Sequence, residues 1–373
     1  MSEVFRSLDN DPDIELKLLV SGAHLSPSFG RTVDLVKQDG FNILCEVETL
    51  ISGDTKSSRM KTASGLLSGA VDIIRTYAPD VIVYAGDRED VLIGATIGAF
   101  LGIPTVHFFG GDHATDGHVD NPVRHATSKL STAHFVSLDE HRRRLLKIGE
   151  NPERIFVIGS VALDKFLSEK PIEKHDLLEK IGAKSHAAEH PLAILIFHPV
   201  DQERVLAPDF VQNATQALIE QGFHVLIGAP NSDPGNARLV EKIHQLNQLP
   251  QVTYYRNTSR KLFVNLMRNA SVMLGNSSAG ILEAATVQLP VINIGERQRG
   301  RLCGANVVFS EGDLQSVTCA LQFLDTPAFR EQMHKLINPY GDGHSAVTAA
   351  NILKQTDFDA MLKKSQDPLH VTC

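Results

Sequence analysis

Short apolar runs alternate with segments of helical periodicity along most of the chain. In the first half, strands are predicted at IELKLLV, NILCEV, DVIVYAGD, PTVHFFGG, AHFVS and IFVIGS. Helical patterns separate several of these runs, and the longest covers residues 57–77. Strands that alternate with helices indicate βαβ units and a parallel sheet covered on both faces. We therefore predict a Rossmann-like, doubly wound domain over residues 1–165.

A second alternating series follows a charged segment without long apolar runs. Its strands are predicted at LAILIF, HVLIGAP, VTYYRN, SVML and VINI, with helices around 210–221, 236–246 and 262–269. The pattern predicts a second Rossmann-like domain over residues 190–344. Two such domains in tandem are expected to hold a ligand in the cleft between them. The remaining segment, about 345–373, contains a predicted helix over 346–362, which we expect to cross back to the first domain.

Composition narrows the choice of partners. The chain has 373 residues, 42% of them hydrophobic and 21% charged, as in globular proteins. A formal net charge of −8 argues against a nucleic acid or an anionic membrane surface as the main partner. No apolar run is long enough to suggest a membrane span. The four cysteines form no CxxC pair, so neither a zinc site nor a disulfide framework is indicated, and a cytoplasmic location fits best.

The segment 271–301, SVMLGNSSAGILEAATVQLPVINIGERQRGR, has the pattern of a strand, tight turn, helix, second strand and basic loop. Ser277 or Ser278 is expected to cap the helix, whose N–H groups suit a phosphate. Glu283, predicted early in the helix, is a candidate for ribose hydroxyls. Charge for a diphosphate is available from Arg297, Arg299 and Arg301. An ordinary capped helix followed by a solvated arginine loop fits the same pattern.

Acidic and basic residues also follow the predicted strands of the first domain, at the edge where such sheets bind ligands. Asp87 and Arg88 follow VIVYAG, where a structural ion pair is the alternative interpretation. Gly110, Gly111 and Asp112 follow PTVHFF, and the glycines permit close approach of the backbone to a ligand.

More candidates follow within a few residues, ahead of and within a helix expected to begin near residue 122. They are His113, Asp116, His118, Asp120, Arg124 and His125. Their spacing does not place metal ligands on one face, so we expect no metal. In the second domain, His198 ends LAILIF at a ligand-facing edge, and it suits proton transfer or a phosphate contact as well as helix capping. The sequence contains no GxSxG, P-loop, HExxH or GxGxxG motif to support other enzyme classes.

Several motifs together resemble the UDP-N-acetylglucosamine 2-epimerases, and most closely their hydrolysing branch, which serves sialic-acid-type sugar pathways. The similar segments span nearly the whole chain: GDRED, HFFGGDHATDGHVDNPVRHATSKLS, GENPERIFVIGSVALD, IFHPV, GNSSAGILEA, INIGERQRGR and NPYGDG. The resemblance implies the two-domain GT-B architecture, no cofactor, and a homodimer. It also implies that a UDP-sugar is converted to UDP and the free 2-epimer through elimination to a glycal and hydration.

Residue roles carry over from the resemblance at matching positions. Acid–base chemistry is implied for Asp87, Asp112, Asp120 and His198. Binding of the UDP-sugar is implied for Arg88, Arg124, His198, Ser277, Ser278, Glu283 and Arg297. A GT-B glycosyltransferase and a non-catalytic UDP-sugar-binding protein are the alternatives.

Two departures from the family pattern affect this expectation. Asp112 stands where the family usually has Glu, one methylene longer, and Asp116 is a possible substitute for it. No residue matches the family's opening strand and its Gly-Thr-Arg loop, because the chain begins with what resembles the end of the following helix. We therefore expect weak or no activity from the chain as given, unless upstream residues exist.

Overall fold

The computed structural model describes residues 1–51, 55–113, 119–198, 200, 203–230, 237–256 and 258–371. The chain forms two compact units. The first unit consists of Met1–Val161 with His344–Cys373, and the second unit is Ala162–Gly343. Asp116 and His118, two candidates of the sequence analysis, lie outside the described residues. None of the described helices is long and apolar enough to cross a membrane.

The first unit contains two parallel sheets. A two-stranded sheet pairs β1 (Leu18–Ser21) with β2 (Ile43–Val47), and a four-stranded sheet runs in chain order through β3 (Ile82–Ala85), β4 (Thr105–Phe108), β5 (Ala133–Val136) and β6 (Ile155–Val157). The helices are α1 (Ser2–Asp9), α2 (Val33–Gln38), α3 (Lys56–Tyr77), α4 (Glu89–Leu101), α5 (Asp120–Leu130) and α6 (Asp139–Lys147). Strands β4 and β5 are buried along their whole length, as expected for a sheet covered on both faces.

The second unit contains one six-stranded parallel sheet in the order β12-β11-β10-β7-β8-β9. Its strands are β7 (Leu192–Ile196), β8 (His224–Gly228), β9 (Val252–Tyr255), β10 (Val272–Gly275), β11 (Val291–Ile294) and β12 (Val307–Ser310). The helices are α7 (Asp164–Ser168), α8 (Lys174–Lys180), α9 (Ala207–Glu220), α10 (Ala237–Leu246), α11 (Arg260–Asn269), α12 (Ser278–Leu282), α13 (Leu314–Leu324) and α14 (Pro327–His334).

The strand order of the second unit defines a ligand-binding position. From β7 the chain proceeds outward through β8 and β9, then returns to β10 on the other side of β7 and proceeds outward again through β11 and β12. The order therefore reverses between β7 and β10. In open parallel sheets the crevice outside the carboxyl ends of two such strands is where ligands bind.

The C-terminal segment belongs to the first unit. Its helix α15 (Ser345–Gln355) buries Ala346 and Ala349 in one apolar cluster with Val4 and Leu8 of α1. The helix predicted over 346–362 is therefore too long. Thr356 has an extended backbone, with φ −92° and ψ 129°, which ends the helix. The chain then turns and buries Phe358 in the same apolar cluster, in place of the two further helical turns that were predicted.

The predicted α/β class with parallel sheets is confirmed by the strand pairings of both units. Most elements lie within a few residues of their predicted positions, including the long helix α3 at Lys56–Tyr77. The sequence analysis did not predict β12, α13, α14 or α6. Strand β12 (VVFS) lies at the edge of its sheet and is only partly buried, although its sequence is as apolar as that of the inner strand β11 (VINI).

Candidate active site

Three aspartates lie at the carboxyl edge of the four-stranded sheet and the start of α5. Asp87 follows β3, Asp112 follows β4, and Asp120 is the first residue of α5. Their side chains are 26%, 31% and 28% exposed, so each carboxylate is largely shielded yet accessible. Partly desolvated carboxylates at a strand edge suit proton transfer to a bound substrate.

Arg124 of α5 connects two of these acidic segments. Its guanidinium forms an ion pair with the carboxylate of Asp87, and its Nη1 donates to the backbone oxygen of Asp112 at 2.8 Å and to Asn121 Oδ1 at 3.2 Å. Only 7% of the Arg124 side chain is exposed. Arg124 is therefore held within this acidic edge, where it orients Asp87 and the loop that carries Asp112. Asp87 pairs with Arg124 and not with its neighbour Arg88, which is exposed at the N-cap of α4.

Gly111, directly before Asp112, accommodates a neighbouring helix. Gly111 has φ +74°, and a Cβ on it would lie 2.3 Å from the backbone oxygen of His141 in α6. The expected close approach at this glycine is thus to protein backbone. Asp112 Oδ1 accepts from the His113 N–H at 2.8 Å and lies 3.4 Å from His141 Nε2. Burial lowers the pKa of His141, although the negative charge of Asp112 opposes that shift.

Asp120 has a cationic neighbour that the sequence analysis missed. Arg59 Nη2 of α3 lies 2.6 Å from Glu89 Oε2 and 3.6 Å from Asp120 Oδ1. Burial would raise the pKa of Glu89, but the hydrogen bond and charge of Arg59 outweigh it, and the pKa is lowered.

His113 and His125 stack with ring centroids 5.9 Å apart. Within the described parts of the chain, no group of three or more His, Cys, Asp or Glu residues is arranged to hold a metal ion.

In the second unit, Asn276 joins the loops that follow β7 and β10. Its side chain is completely buried, with Oδ1 accepting from the His198 N–H at 2.7 Å and Nδ2 donating to the His198 oxygen at 2.8 Å. The preceding Gly275 has φ +120°, and a Cβ there would lie 1.9 Å from the Ile196 oxygen. Only glycine fits so close to β7. These contacts fix His198 at the position where the strand order reverses.

Helix α12 differs in length from the prediction. Ser277 is its N-cap and accepts from the Ala279 N–H at 3.3 Å, so Ser277 is the capping residue of the two candidates, and Ser278 is the first helical residue. The helix ends at Leu282, and Glu283 is the C-cap residue, not an early residue of the helix. The Glu283 side chain is 11% exposed, and its Oε2 lies 2.6 Å from Nη2 of Arg260. Burial raises the pKa of Glu283, opposed by the charge of Arg260.

The basic loop after β11 is partly neutralised. Arg299 lies 2.7 Å from Glu296 and 2.6 Å from Glu311, so its charge is balanced by two carboxylates. Arg297 is exposed and donates to the Asn276 oxygen at 3.1 Å. The carboxylate of Glu203, 7% exposed, supports the loop by accepting from the Glu296 N–H at 2.8 Å.

A pocket of about 360 Å³ opens at the carboxyl ends of β7, β8, β9 and β10. Its polar lining includes His198, Ser277, Arg256, Thr258, Arg260 and Tyr255. Two of these are candidates of the sequence analysis, His198 and Ser277. The sequence analysis missed Tyr255, Arg256 and Arg260, because the segment YYRNTSRK carries no motif that separates a pocket wall from a solvated loop. Asn276 was also missed as a functional residue. Its position directly after the apolar strand β10 is a usable signal, because a polar side chain at the end of a buried strand needs a hydrogen-bond partner.

Parallel sheets, a pocket at the point of strand reversal and acidic residues at a strand edge are typical of α/β enzymes, which bind their ligands at such positions. The sequence comparisons make the class specific. The family model described as UDP-N-acetylglucosamine 2-epimerase matches residues 6–354, and the chain belongs to this family of enzymes.

Individual relatives agree with the family model. The chain is 33% identical over 354 residues to the UDP-N,N'-diacetylbacillosamine 2-epimerase (hydrolyzing) of Legionella pneumophila, covering 95% of this chain and 92% of that protein. It is 32% identical to the GDP/UDP-N,N'-diacetylbacillosamine 2-epimerase (hydrolyzing) of Campylobacter jejuni, covering 87% and 83%. The crystal structure of UDP-GlcNAc 2-epimerase from Neisseria meningitidis bound to UDP-GlcNAc superposes with a TM-score of 0.71 at 17% identity, covering 95% and 96%. The predicted GT-B-like fold class is thereby confirmed.

Proposed function

We propose that this protein is a hydrolysing UDP-sugar 2-epimerase that converts a UDP-2-acetamido sugar to UDP and the free 2-epimer. Family membership supports the reaction class. The observation that carries the proposal is the acidic edge of the first unit, where Asp87 and Asp112 are held by the buried Arg124. An epimerase must move a proton at a carbon atom, whereas sugar transfer to an acceptor does not require these acids.

The chemistry follows from the bonds that change. A base removes the proton at sugar C2, the C1–O bond breaks, and UDP departs with the bonding electrons, which leaves a glycal with a C1–C2 double bond. Water then adds, with hydroxyl at C1 and a proton at C2 from the opposite face, so the free sugar has the inverted C2 configuration. We assign the proton transfers to Asp87, Asp112 and Asp120.

Binding of UDP is assigned to the second unit. Ser277 and His198 line its pocket, and Arg297 lies beside the same loop through its bond to Asn276. Arg297 provides positive charge and His198 a ring N–H donor for a departing diphosphate, whose negative charge grows as the C1–O bond breaks. Ser278, next along the chain, and Arg88 of the first unit remain proposed contacts of the UDP-sugar.

The substrate is proposed to carry a second acetamido group. Two relatives with 32–33% identity, which this chain matches over most of their length, are named for N,N'-diacetylbacillosamine nucleotides. UDP-GlcNAc, which has a hydroxyl at C4, is the comparison substrate.

We further propose that the protein acts as a homodimer in the cytoplasm. Light scattering that gives a monomer mass at working concentration would contradict the dimer.

The reaction is tested by incubating the protein with UDP-N,N'-diacetylbacillosamine or UDP-GlcNAc in deuterated water. Equal amounts of UDP and a free 2-epimer labelled at C2 are expected, with faster turnover of the diacetamido substrate, and long incubations detect slow conversion. Absence of UDP release from both substrates, or an unlabelled sugar, would contradict the proposal. Asp87→Asn should abolish the labelling, whereas Asp90→Asn, an exposed neighbour on α4, should retain it.

A further inference from the structure

An arginine of α3 interacts with acids from two neighbouring helices of the first unit. Arg59 donates from Nε to Oε2 of Glu89 at 2.7 Å, and its Nη2 lies 2.6 Å from the same oxygen and 3.6 Å from Oδ1 of Asp120. Glu89 is the first residue of α4, Asp120 is the first residue of α5, and α4 packs against both α3 and α5. One guanidinium therefore links an acid proposed for proton transfer to a second acid that has no such role.

The stability of α3 does not explain the location of this arginine. Arg59 is the fourth residue of α3, in the first helical turn, where the positive end of the helix dipole disfavours a cation. Glu89 and Asp120 each begin a helix, where a negative charge is favoured. The cation thus meets the two acids at a small cost to its own helix.

Arg59 and Glu89 are both charged at neutral pH. The hydrogen bond to Glu89 raises the pKa of Arg59. The pKa of Glu89, which burial alone would raise, is lowered by the hydrogen bond and charge of Arg59. The side chains of Arg59, Glu89 and Asp120 are 37%, 26% and 28% exposed, so water screens their charges only in part. The pair therefore presents nearly balanced charges to Asp120.

Two further arginines belong to the same neighbourhood. Arg88, the N-cap residue of α4, contributes its charge to the lowered pKa of Glu89. Arg124 lies one turn beyond Asp120 on α5 and is paired with Asp87. Both arginines stay unchanged in the variants described below, so their charges are a constant background.

We propose that Arg59 and Glu89 are positioning residues for Asp120, which hold its carboxylate at the acidic edge and balance the charge beside it. Arg59 attracts the carboxylate of Asp120, and Glu89 limits that attraction because it neutralises most of the arginine charge. The inference rests on the proposed function, since it takes Asp120 as a group that moves a proton. A net charge a few ångströms from a carboxyl changes the pH at which that carboxyl gains a proton, whereas a balanced pair changes it little.

The proposal is tested by the pH dependence of kcat/KM for UDP release in four proteins: wild type, Arg59→Gln, Glu89→Gln and the double variant. Arg59→Gln leaves a net negative charge beside Asp120, so one limb of the profile should move to higher pH by about 0.5–1 unit. Glu89→Gln leaves a net positive charge, so the same limb should move to lower pH by about as much. The double variant restores the balance and should lie within about 0.3 unit of wild type.

Matched controls come from the other end of the same helix. Arg75→Gln and Asp72→Asn make the same charge changes in an exposed ion pair of 3.2 Å. This pair lies about 24 Å along α3 from Arg59, so neither control should move the limb. The shifts in the Arg59 and Glu89 variants should shrink in roughly 1 M salt, where the Debye length falls to about 3 Å. A merely structural ion pair would change stability and leave the profile in place.

A second measurement observes Asp120 without turnover. Its isotope-labelled carboxyl carbon is assigned by the NMR signal that is lost in Asp120→Asn. That signal should titrate at higher pH in Arg59→Gln and at lower pH in Glu89→Gln. If Arg59→Gln does not fold, Glu89→Gln and the double variant still give opposite expectations, a shift and its reversal.

Unmoved limbs and signals, or shifts in the same direction in the two single variants, would overturn the inference. A double variant displaced as far as either single variant would overturn it as well. UDP release by the wild-type protein together with unmoved limbs would contradict this inference alone, whereas no UDP release from the wild-type protein would contradict the proposed function with it.

Discussion

Replacing Asn276 by Ala tests whether the contact between the β7 and β10 loops positions His198. The substitution removes both hydrogen bonds to the His198 backbone, at 2.7 and 2.8 Å, and leaves that N–H and C=O without their partner. Each such loss costs about 1–3 kcal/mol when the group stays buried. Because His198 is only partly buried, water can form some of the lost hydrogen bonds. We therefore expect the free energy of unfolding to fall by about 2–4 kcal/mol in total.

The catalytic effect should exceed that of a general loss of stability. A displacement of roughly 1 Å at a catalytic group can cost about 100-fold in rate, so we expect kcat/KM per folded molecule to fall about 10- to 100-fold. Urea unfolding gives the stability, and UDP release gives the rate. Asn306→Ala is the matched control, because Asn306 is also completely buried and donates to the Leu289 oxygen at 2.8 Å.

Both variants should unfold at lower urea concentration than wild type, but only Asn276→Ala should lose activity beyond its unfolded fraction. Asn306→Ala should keep kcat/KM within about twofold, as expected for a stability loss away from the chemistry. If Asn276→Ala retained the wild-type rate per folded molecule while losing the expected stability, the reasoning that Asn276 positions His198 would be refuted.

Two further predictions concern stability. Burial would raise the pKa of Glu150, but the hydrogen bond from His134 and the charges of nearby lysines outweigh it and lower the pKa from 4.5 to about 2. The resulting stability, about 3 kcal/mol at pH 7 by linkage, is present above pH 4.5 and lost as the pH falls towards 2. Glu150→Gln should lose it at pH 7 in urea unfolding, unlike the exposed Glu153→Gln, and equal stability of the two variants would contradict the assignment. Gly275→Ala, whose Cβ would lie 1.9 Å from a backbone oxygen, should cost about 4 kcal/mol or more, whereas Gly222→Ala, with φ +82° and open space around it, should cost about 1 kcal/mol. Similar thermal midpoints for both glycine variants would contradict the steric argument.

The chain's periodicity was sufficient to predict the class of the fold and the placement of most elements. Period-two and continuous apolar runs are local properties, and they persist in the structure as β3, β4, β7 and β10. Because parallel strands end at one edge of a sheet, the order of residues along the chain also predicted that Asp87 and Asp112 follow strands of the first unit and that His198 and Ser277 follow strands of the second. The C-terminal ends of α12 and α15 were predicted wrongly, and both helices are shorter than expected. The end of a short helix depends on which of the following side chains is buried against the rest of the protein, and local periodicity does not reveal this.

The partners of these residues were decided only by tertiary structure. Asp87 pairs with Arg124 and not with the adjacent Arg88, and the His198 backbone is bonded to Asn276, 78 positions away. Glu283 pairs with Arg260, a pocket-lining residue in a segment without a motif. A sequence pattern specifies which side of an element is apolar, but it does not specify which distant side chain reaches a buried charge. That choice follows from the order of the strands and from the cost of leaving a buried polar group without a partner.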